Sequence, residues 1–283
     1  MAILEYLKKT FRKKIARRIT REYATKTDVF NLSQEGRVEF TNWDNPLVRP
    51  FEIKQGMVDF FKQFIHPGDL AIDIGANIGD TTVPMALAAG PEGITLGFDP
   101  NPFVYKILRQ NALLNRDKTN IQTHPYAITV KEEEFYFISS EASFANGGIS
   151  KTRESIHGKF IQPGKIKGVN LKKFLEQQYP DQLKKLSFIK IDTEGYDKEI
   201  IRSISDLIDA CQPVLIAEVF KKSSPQDKGE LFDLIHDHHY DLYFFEDFDI
   251  RAKVAPVKTR EELSNFKKTI NVYALPQHQS RGQ

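Results

Sequence analysis

A chain of 283 residues, 40% of them apolar, is long enough to bury a full core, and its alternating strand and helix patterns fit one α/β domain with embellishments. The net charge of +2 hides an asymmetry: residues 1–30 carry nine Lys or Arg against three acids, a local +6, so the remainder sums to −4. Cys211 is the only cysteine, which excludes an intramolecular disulfide, and without an apolar h-region or a bilayer-length apolar run a soluble, cytoplasmic protein is expected.

In chain order, residues 2–24 are expected to form a basic amphipathic helix. Leu4, Leu7 or Phe11, Ile15 and Ile19 recur at spacings of three and four, while Lys8, Lys9, Arg12, Lys13, Lys14, Arg17, Arg18 and Arg21 fill other positions. Such a helix can dock its apolar stripe on the body or a second subunit, lie on an anionic membrane surface, or bind nucleic acid. No aromatic cluster accompanies the charges as a base-stacking platform would, and the body is net acidic, so nucleic acid is not expected as a partner. Peripheral contact at the inner membrane face stays open for residues 2–24. Residues 25–55 read as short strands and turns, broken at Asn45-Pro46 and Arg49-Pro50, and 57–64 as a short helix.

Regular alternation follows: strand 70–74, helix 80–89, strand 94–98, helix 102–115 and strand 120–124, with Asn101 as N-cap and Pro102 at the first helical position. Residues 134–138 make a further strand. Residues 140–168 carry Gly and Ser without periodicity, as a lid or a long connection would. Helix 171–178 leads to strand 186–191, a helix through Leu207, strand 214–219 and helix 226–238. Strands 241–245 and 270–275 can pair as a final antiparallel hairpin around a charged, loop-like 249–268. The expected fold is α/β: a doubly wound, mostly parallel seven-stranded sheet, Rossmann-like, with an N-terminal helical extension.

The most informative stretch is DLAIDIGANIGDTT, residues 69–82, an apolar strand running through a glycine turn into a helix. Gly75 and Gly79 allow the turn and a close ligand approach, and the helix start offers unpaired N–H groups. Dinucleotide enzymes use GxGxxG, but here Asn77 stands at the middle glycine and Asp73 and Asp80 flank the turn. Carboxylates repel a pyrophosphate and attract a sulfonium, which favours S-adenosyl-L-methionine over NAD. Asp99, twenty residues beyond Gly79 at the next strand end, is placed to accept hydrogen bonds from ribose hydroxyls. Asp192, Glu194 and Glu218 also occupy or closely follow carboxyl ends of strands, where open parallel sheets bind ligands.

The segments IDIGANIGDTT, FDPNPFVYKILRQNALLN, NIQTHPYAIT, FIKIDTEGYDKEII and PVLIAEVF resemble the FkbM family of S-adenosylmethionine-dependent methyltransferases, which act mainly as O-methyltransferases. The resemblance covers about residues 55–275. It implies a class I methyltransferase domain at 55–276, between an extension at 1–54 and a polar tail at 277–283. It also implies that the methionine moiety lies around the turn of Asp73, Gly75, Ala76 and Asn77, with Gly79 opening the helix. Asp99 would then hold the ribose, Pro100 and Asn101 would border the adenine, and Ala127 would shape its pocket through backbone. The acceptor implied is a hydroxyl of a saccharide, a lipid-linked glycan or a small metabolite.

Methyl transfer from a sulfonium is an in-line displacement, so catalysis lies mostly in positioning the acceptor and excluding water. A hydroxyl is a weak nucleophile, and a carboxylate beside it would take its proton. Asp192 and Glu194 are the leading candidates for that role, with Lys190 beside them. A divalent cation held by these carboxylates and Glu218 is the less favoured alternative. His236, His238 and His239 end a peripheral helix and are read as structural, whereas His124 lies nearer the sheet rim. Tyr196 fits either the acceptor pocket or packing. The unpatterned segments 140–168 and 249–268 are expected to shape the acceptor pocket. Two other functions stay open: an NAD-dependent oxidoreductase on the same fold, and a non-catalytic scaffold acting through the basic helix.

Overall fold

Strands that are apolar on both faces need cover on both, and helices supply it. The computed structural model describes residues 2–193 and 195–277. Helix α1 (Ala2–Ala16) precedes a hairpin of β1 (Thr25–Leu32) and β2 (Gly36–Trp43). Then come α2 (Gln55–Lys62), β3 (Leu70–Ile74), α3 (Thr82–Ala89), β4 (Ile94–Phe98), α4 (Pro102–Leu113) and β5 (Ile121–His124). Five short strands follow: β6 (Ala127–Ile128), β7 (Glu134–Ser139), β8 (Gly148–Ser150), β9 (Phe160–Ile161) and β10 (Ile166–Val169). The rest runs α5 (Leu171–Gln178), β11 (Leu186–Ile191), α6 (Asp197–Ser203), α7 (Ser205–Cys211), β12 (Val214–Val219), α8 (Pro225–Asp237), β13 (Tyr240–Phe245), β14 (Val254–Val257), α9 (Arg260–Ser264) and β15 (Ile270–Pro276).

The main sheet has the order β14-β13-β15-β12-β11-β3-β4-β5. Strands β12, β11, β3, β4 and β5 pair in parallel, and β15 joins antiparallel between β12 and β13. Seven of these strands are the expected ones, and β14 adds an eighth at the edge. Alternate residues serve opposite faces. Ile72 and Ile189 pack with Leu171, Ile200, Ile208 and Ile235 under α5 to α8. Ala71 and Phe188 pack with Phe60, Phe61 and Met85 under α2 and α3. Helix α3, covered all round, is buried at every position. The hairpin shares a third core with the body, in which Val38, Phe40 and Trp43 meet Val83, Val104 and Ile107.

Several boundaries differ from the sequence expectation. The N-terminal helix stops at Ala16 rather than reaching residue 24. Beyond it the Arg17 carbonyl accepts from the Ala142 N–H at 3.3 Å, and Tyr23 packs edge-on against Trp43. Tertiary contacts therefore take over the chain that helical periodicity would continue. Helix α4 ends before 115 because Asn115 is left-handed, at φ 54°, and its side chain bonds both backbone groups of Glu39. Segment 140–168 supplies β8, β9 and most of β10 to a small sheet of order β6-β10-β7-β8 with β9 on β7, and these three strands, of two to four residues, are too short to display a period of two. The expected loop 249–268 contains β14 and α9. The helix expected through Leu207 divides into α6 and α7 at Ile204. Of the polar tail, residues 278–283 lie outside the described residues.

Strand order reverses between β3 and β11, the place where such sheets bind ligands. The seam is tight: the Asp192 N–H donates to the Ile74 carbonyl at 3.0 Å, and a Cβ on Gly75 would sit 2.0 Å from the Asp192 carbonyl oxygen. Gly75 also has φ 77°. Gly75→Ala therefore meets both a clash and a left-handed backbone. It is expected to lower stability by at least about 2 kcal/mol, read as a shift of the urea midpoint.

Candidate active site

The turn after β3 owes its shape to three left-handed residues, Gly75, Asn77 (φ 48°) and Gly79 (φ 96°). The Gly75 and Ala76 N–H groups both donate to the Phe98 carbonyl, at 2.9 and 3.0 Å, which binds the turn to the end of β4. Just past that end stands Asp99, 7% exposed. One of its oxygens accepts from the Asn77 N–H and the other from the Asn101 N–H, each at 2.8 Å. Burial pushes its carboxyl up to about 7 against the pull of those two donors.

Above these strand ends lies a cavity of about 550 Å³. Of the expected donor-binding residues, Gly75, Asn77, Asp99, Pro100, Asn101 and Ala127 line it, and so do Lys190 and Asp192 of the expected catalytic group. Ala76 is fully buried behind the wall, and Gly79 faces Leu108 of α4. Asp73 is also wholly buried and does not line the cavity. One of its oxygens accepts from the Thr81 and Thr82 hydroxyls at 2.8 and 2.7 Å, and the other from Lys190 Nζ at 3.1 Å. The carboxylate before the turn thus reaches the site through Lys190. Glu194 lies outside the described residues.

Lys190 is 2% exposed and its Nζ lies 3.4 Å from an Asp192 oxygen. Burial disfavours its charge, but Asp73, Asp192 and Asp80 together outweigh burial and raise its pKa, so it is an ammonium at neutral pH. Asp80, half-buried in the cavity wall, is pushed up to about 6 by burial and by Asp73 and Asp192, with Lys190 opposing.

The segment after β11 is held by a residue the motif reading did not single out. Asp197 accepts from the Thr193 hydroxyl at 2.8 Å and from the Glu218 N–H at 3.0 Å. Burial raises it to about 6. Its signal in the sequence is a third acid after Asp192 and Glu194, five positions beyond Asp192 at the start of a helix.

Glu218 lines a separate small recess with Asp197 and Lys198, so it does not join Asp192 at the cavity. Among the described residues no group of three His, Cys, Asp or Glu side chains could hold a metal ion. His238 is engaged by Asp209 and Ser205. His124 stacks on Phe98, bonds the Tyr179 hydroxyl at 3.0 Å, and is held neutral down to about 4 by burial. It is a packing residue.

Segments expected to shape the acceptor side contribute less than the sequence suggests. Ala145 to Ile149 line the cavity from the small sheet, but only Asp249 does so from 249–268. The remaining wall comes from Phe51, Glu52, Lys54 and Met57, which follow the hairpin, and from Asp247 and Phe248 after β13. None of these carries a recognisable motif.

The fold is Rossmann-like, with its cavity at the reversal of strand order, and the family match makes it a methyltransferase. Residues 73–242, more than half of the chain, match the Methyltransferase FkbM domain, and the chain belongs to the FkbM methyltransferase family. No curated protein sequence matches significantly. Among solved structures, the chain is similar to methyltransferase FkbM from Methylobacillus flagellatus KT, at 12% identity and a TM-score of 0.41, over 77% of this chain and 50% of that one. It is similar to a SAM-dependent O-methyltransferase from Thermotoga maritima, at 9% identity and TM-score 0.40, over 88% and 77%. A third likeness is to precorrin-6y C5,15-methyltransferase from Geobacter metallireducens GS-15, at 12% identity and TM-score 0.39, over 81% and 93%.

The donor of this family, S-adenosyl-L-methionine, fits the residues present. After its two backbone bonds Asp99 keeps lone pairs for ribose hydroxyls, and the carboxylates of Asp80 and Asp192 suit a sulfonium. The raised pKa of Asp99 has a consequence for stability. Between about pH 4 and 7 the folded chain holds a proton on Asp99 that the unfolded chain releases, so Asp99 costs stability as pH rises through that window. His124 acts with the opposite sign, and the informative quantity is therefore a difference. The melting temperature of Asp99→Asn minus that of the unaltered ligand-free protein is expected to increase from about pH 5 to pH 8. A flat difference would contradict the assignment.

Proposed function

We propose that this protein transfers the methyl group of S-adenosyl-L-methionine to a hydroxyl of a saccharide, a lipid-linked glycan or a small metabolite. The observation that carries this reading is the meeting, in one cavity, of Asp99 with the Lys190–Asp192 pair. Asp99 binds the ribose, and the turn from Gly75 to Asn77 lies against the methionine portion. The donor supplies an electrophilic methyl carbon on sulfonium.

Asp192 takes the acceptor's proton. Its side chain is 40% exposed, it lines the cavity, and Lys190 fixes it at 3.4 Å. As the acceptor oxygen bonds to the methyl carbon, the hydroxyl proton passes to the Asp192 carboxylate. Lys190, kept protonated by three carboxylates, cannot serve as base and acts by positioning Asp192. Asp80, pushed up to about 6 by burial, is a further carboxylate in the cavity wall and is mostly ionised at neutrality. The remaining wall suits a polyol: Phe51, Tyr196 and Phe248 line it with aromatic surface, while Glu52, Asn146 and Asp247 add polar groups.

Asp99→Ala is expected to abolish donor binding in isothermal titration calorimetry. Asp192→Asn should lower kcat about 10²–10⁴-fold while leaving the donor Kd within about threefold. The acceptor is sought by incubating the protein and labelled donor with extracts of its source. Label appearing on nitrogen or carbon, with hydroxyl-bearing fractions unlabelled, would overturn the O-methyl assignment.

A further inference from the structure

Surface helices ordinarily turn their apolar stripe toward the body. Helix α1 does the reverse. Leu7, Phe11 and Ile15 follow one another at intervals of four and share a face. Leu7 is 56% exposed and Phe11 64%, and neighbouring Tyr6 is exposed as well. Contact with the body is made from the other side. Ala16, fully buried, stands nine positions after Leu7, which at about 3.6 residues per turn is two and a half turns, diametrically opposite. Arg12, one turn before Ala16, pairs with Asp44 of the body at 3.3 Å. Ile15 is only partly covered, and exposed Ile19 extends the apolar run past the helix end.

Lys8 and Lys14 border this stripe, with Lys9 and Lys13 behind them and Arg17, Arg18 and Arg21 following. Glu5 is the helix's only acid. An apolar face bordered by lysines is the arrangement of a helix lying in the plane of a lipid headgroup layer. There the apolar side chains enter the acyl boundary while the lysine stems reach up to phosphates. A second copy of α1 on the same stripe would bring two strongly cationic helices together and is disfavoured by repulsion. We propose that α1 binds the protein to anionic lipid surfaces through Leu7, Phe11 and their flanking cations.

The helix is fastened to one wall of the cavity. The Arg17 carbonyl accepts from the Ala142 N–H, and the Phe144 carbonyl accepts from Asn101 Nδ2 at 2.8 Å. The next residues, Ala145 to Ile149, line the cavity. Lipid binding at α1 would thus present that wall near the headgroups, which suits an acceptor carried on a lipid. This last point rests on the methyl-transfer reading, whereas lipid binding by α1 does not.

The test is co-sedimentation of the full chain with phosphatidylcholine vesicles and with vesicles of phosphatidylcholine and phosphatidylglycerol. The protein is expected to bind the mixed vesicles and not the neutral ones, and to be released by added salt. Leu7→Glu with Phe11→Glu should lower binding at least about tenfold, and Lys8→Glu with Lys14→Glu should do the same. Titration with S-adenosyl-L-methionine checks that both variants remain folded. No binding of the unaltered protein to mixed vesicles, or equal binding by the Leu7 and Phe11 variant, overturns the proposal. Concentration-dependent dimerisation without vesicle binding, lost in that variant, also overturns it and assigns the stripe to a second copy.

Discussion

A lysine and an aspartate buried side by side in the two central strands set the terms for the rest of this molecule. Lys190 of β11 and Asp73 of β3 are register partners. Each charge alone in that interior would cost several kcal/mol, so each requires the other. The pair is better understood as a device for register than as a source of net stability. Slipping either strand by one residue would carry its charge to the opposite face, under α5 to α8. The hydroxyls of Thr81 and Thr82 complete the shell of Asp73 and attach the start of α3 to the same point. Two strands and a helix are thereby aligned where strand order reverses.

The cavity above this point has two kinds of wall. One is a continuous piece of chain, the turn after β3, joined through Asp99 to the turn after β4. Its geometry is dictated by backbone hydrogen bonds and left-handed residues, which leave few ways to build it. The other is assembled from separated segments: the chain after the hairpin, the small sheet, and the loops after β11 and β13. A methyl donor has one shape, and acceptors have many. On the proposed function, the division between the walls matches that difference.

Legibility in the sequence follows the same line. Strands β3, β4, β11 and β12 and helix α5 have the bounds expected, because unbroken apolar runs or clear capping residues mark them. The cavity position of Asp99 was also readable, since glycine spacing and distance along the chain place it. What could not be read depends on contacts across the chain. Lys190 in an apolar strand signals an unknown partner, and only strand register reveals Asp73. The outward face of α1 follows from Arg12 meeting Asp44, thirty-two residues away. Of the small sheet only β7 is legible, because β6, β8, β9 and β10 are too short, and Phe51, Glu52, Lys54 and Met57 reach the cavity with no motif at all.

Asn101 joins the two walls with one side chain. Its Oδ1 caps α4 by accepting from the Phe103 N–H, and its Nδ2 donates to the Phe144 carbonyl. The partner across the gap is a backbone atom. Phe144 itself is committed by stacking on Phe103, and Gly147 and Gly148 are hemmed in by Ile138, Phe137 and His157. Ala145, Asn146 and Ile149 line the cavity between these fixed points, tied only by partial packing of Ala145 and Ile149 and a 3.5 Å bond from Asn146 Nδ2 to Glu141. On the proposed methyl-transfer reading, exchanging them would redraw the acceptor's surroundings while the donor's stay as they are, so selectivity could be retuned without rebuilding the engine.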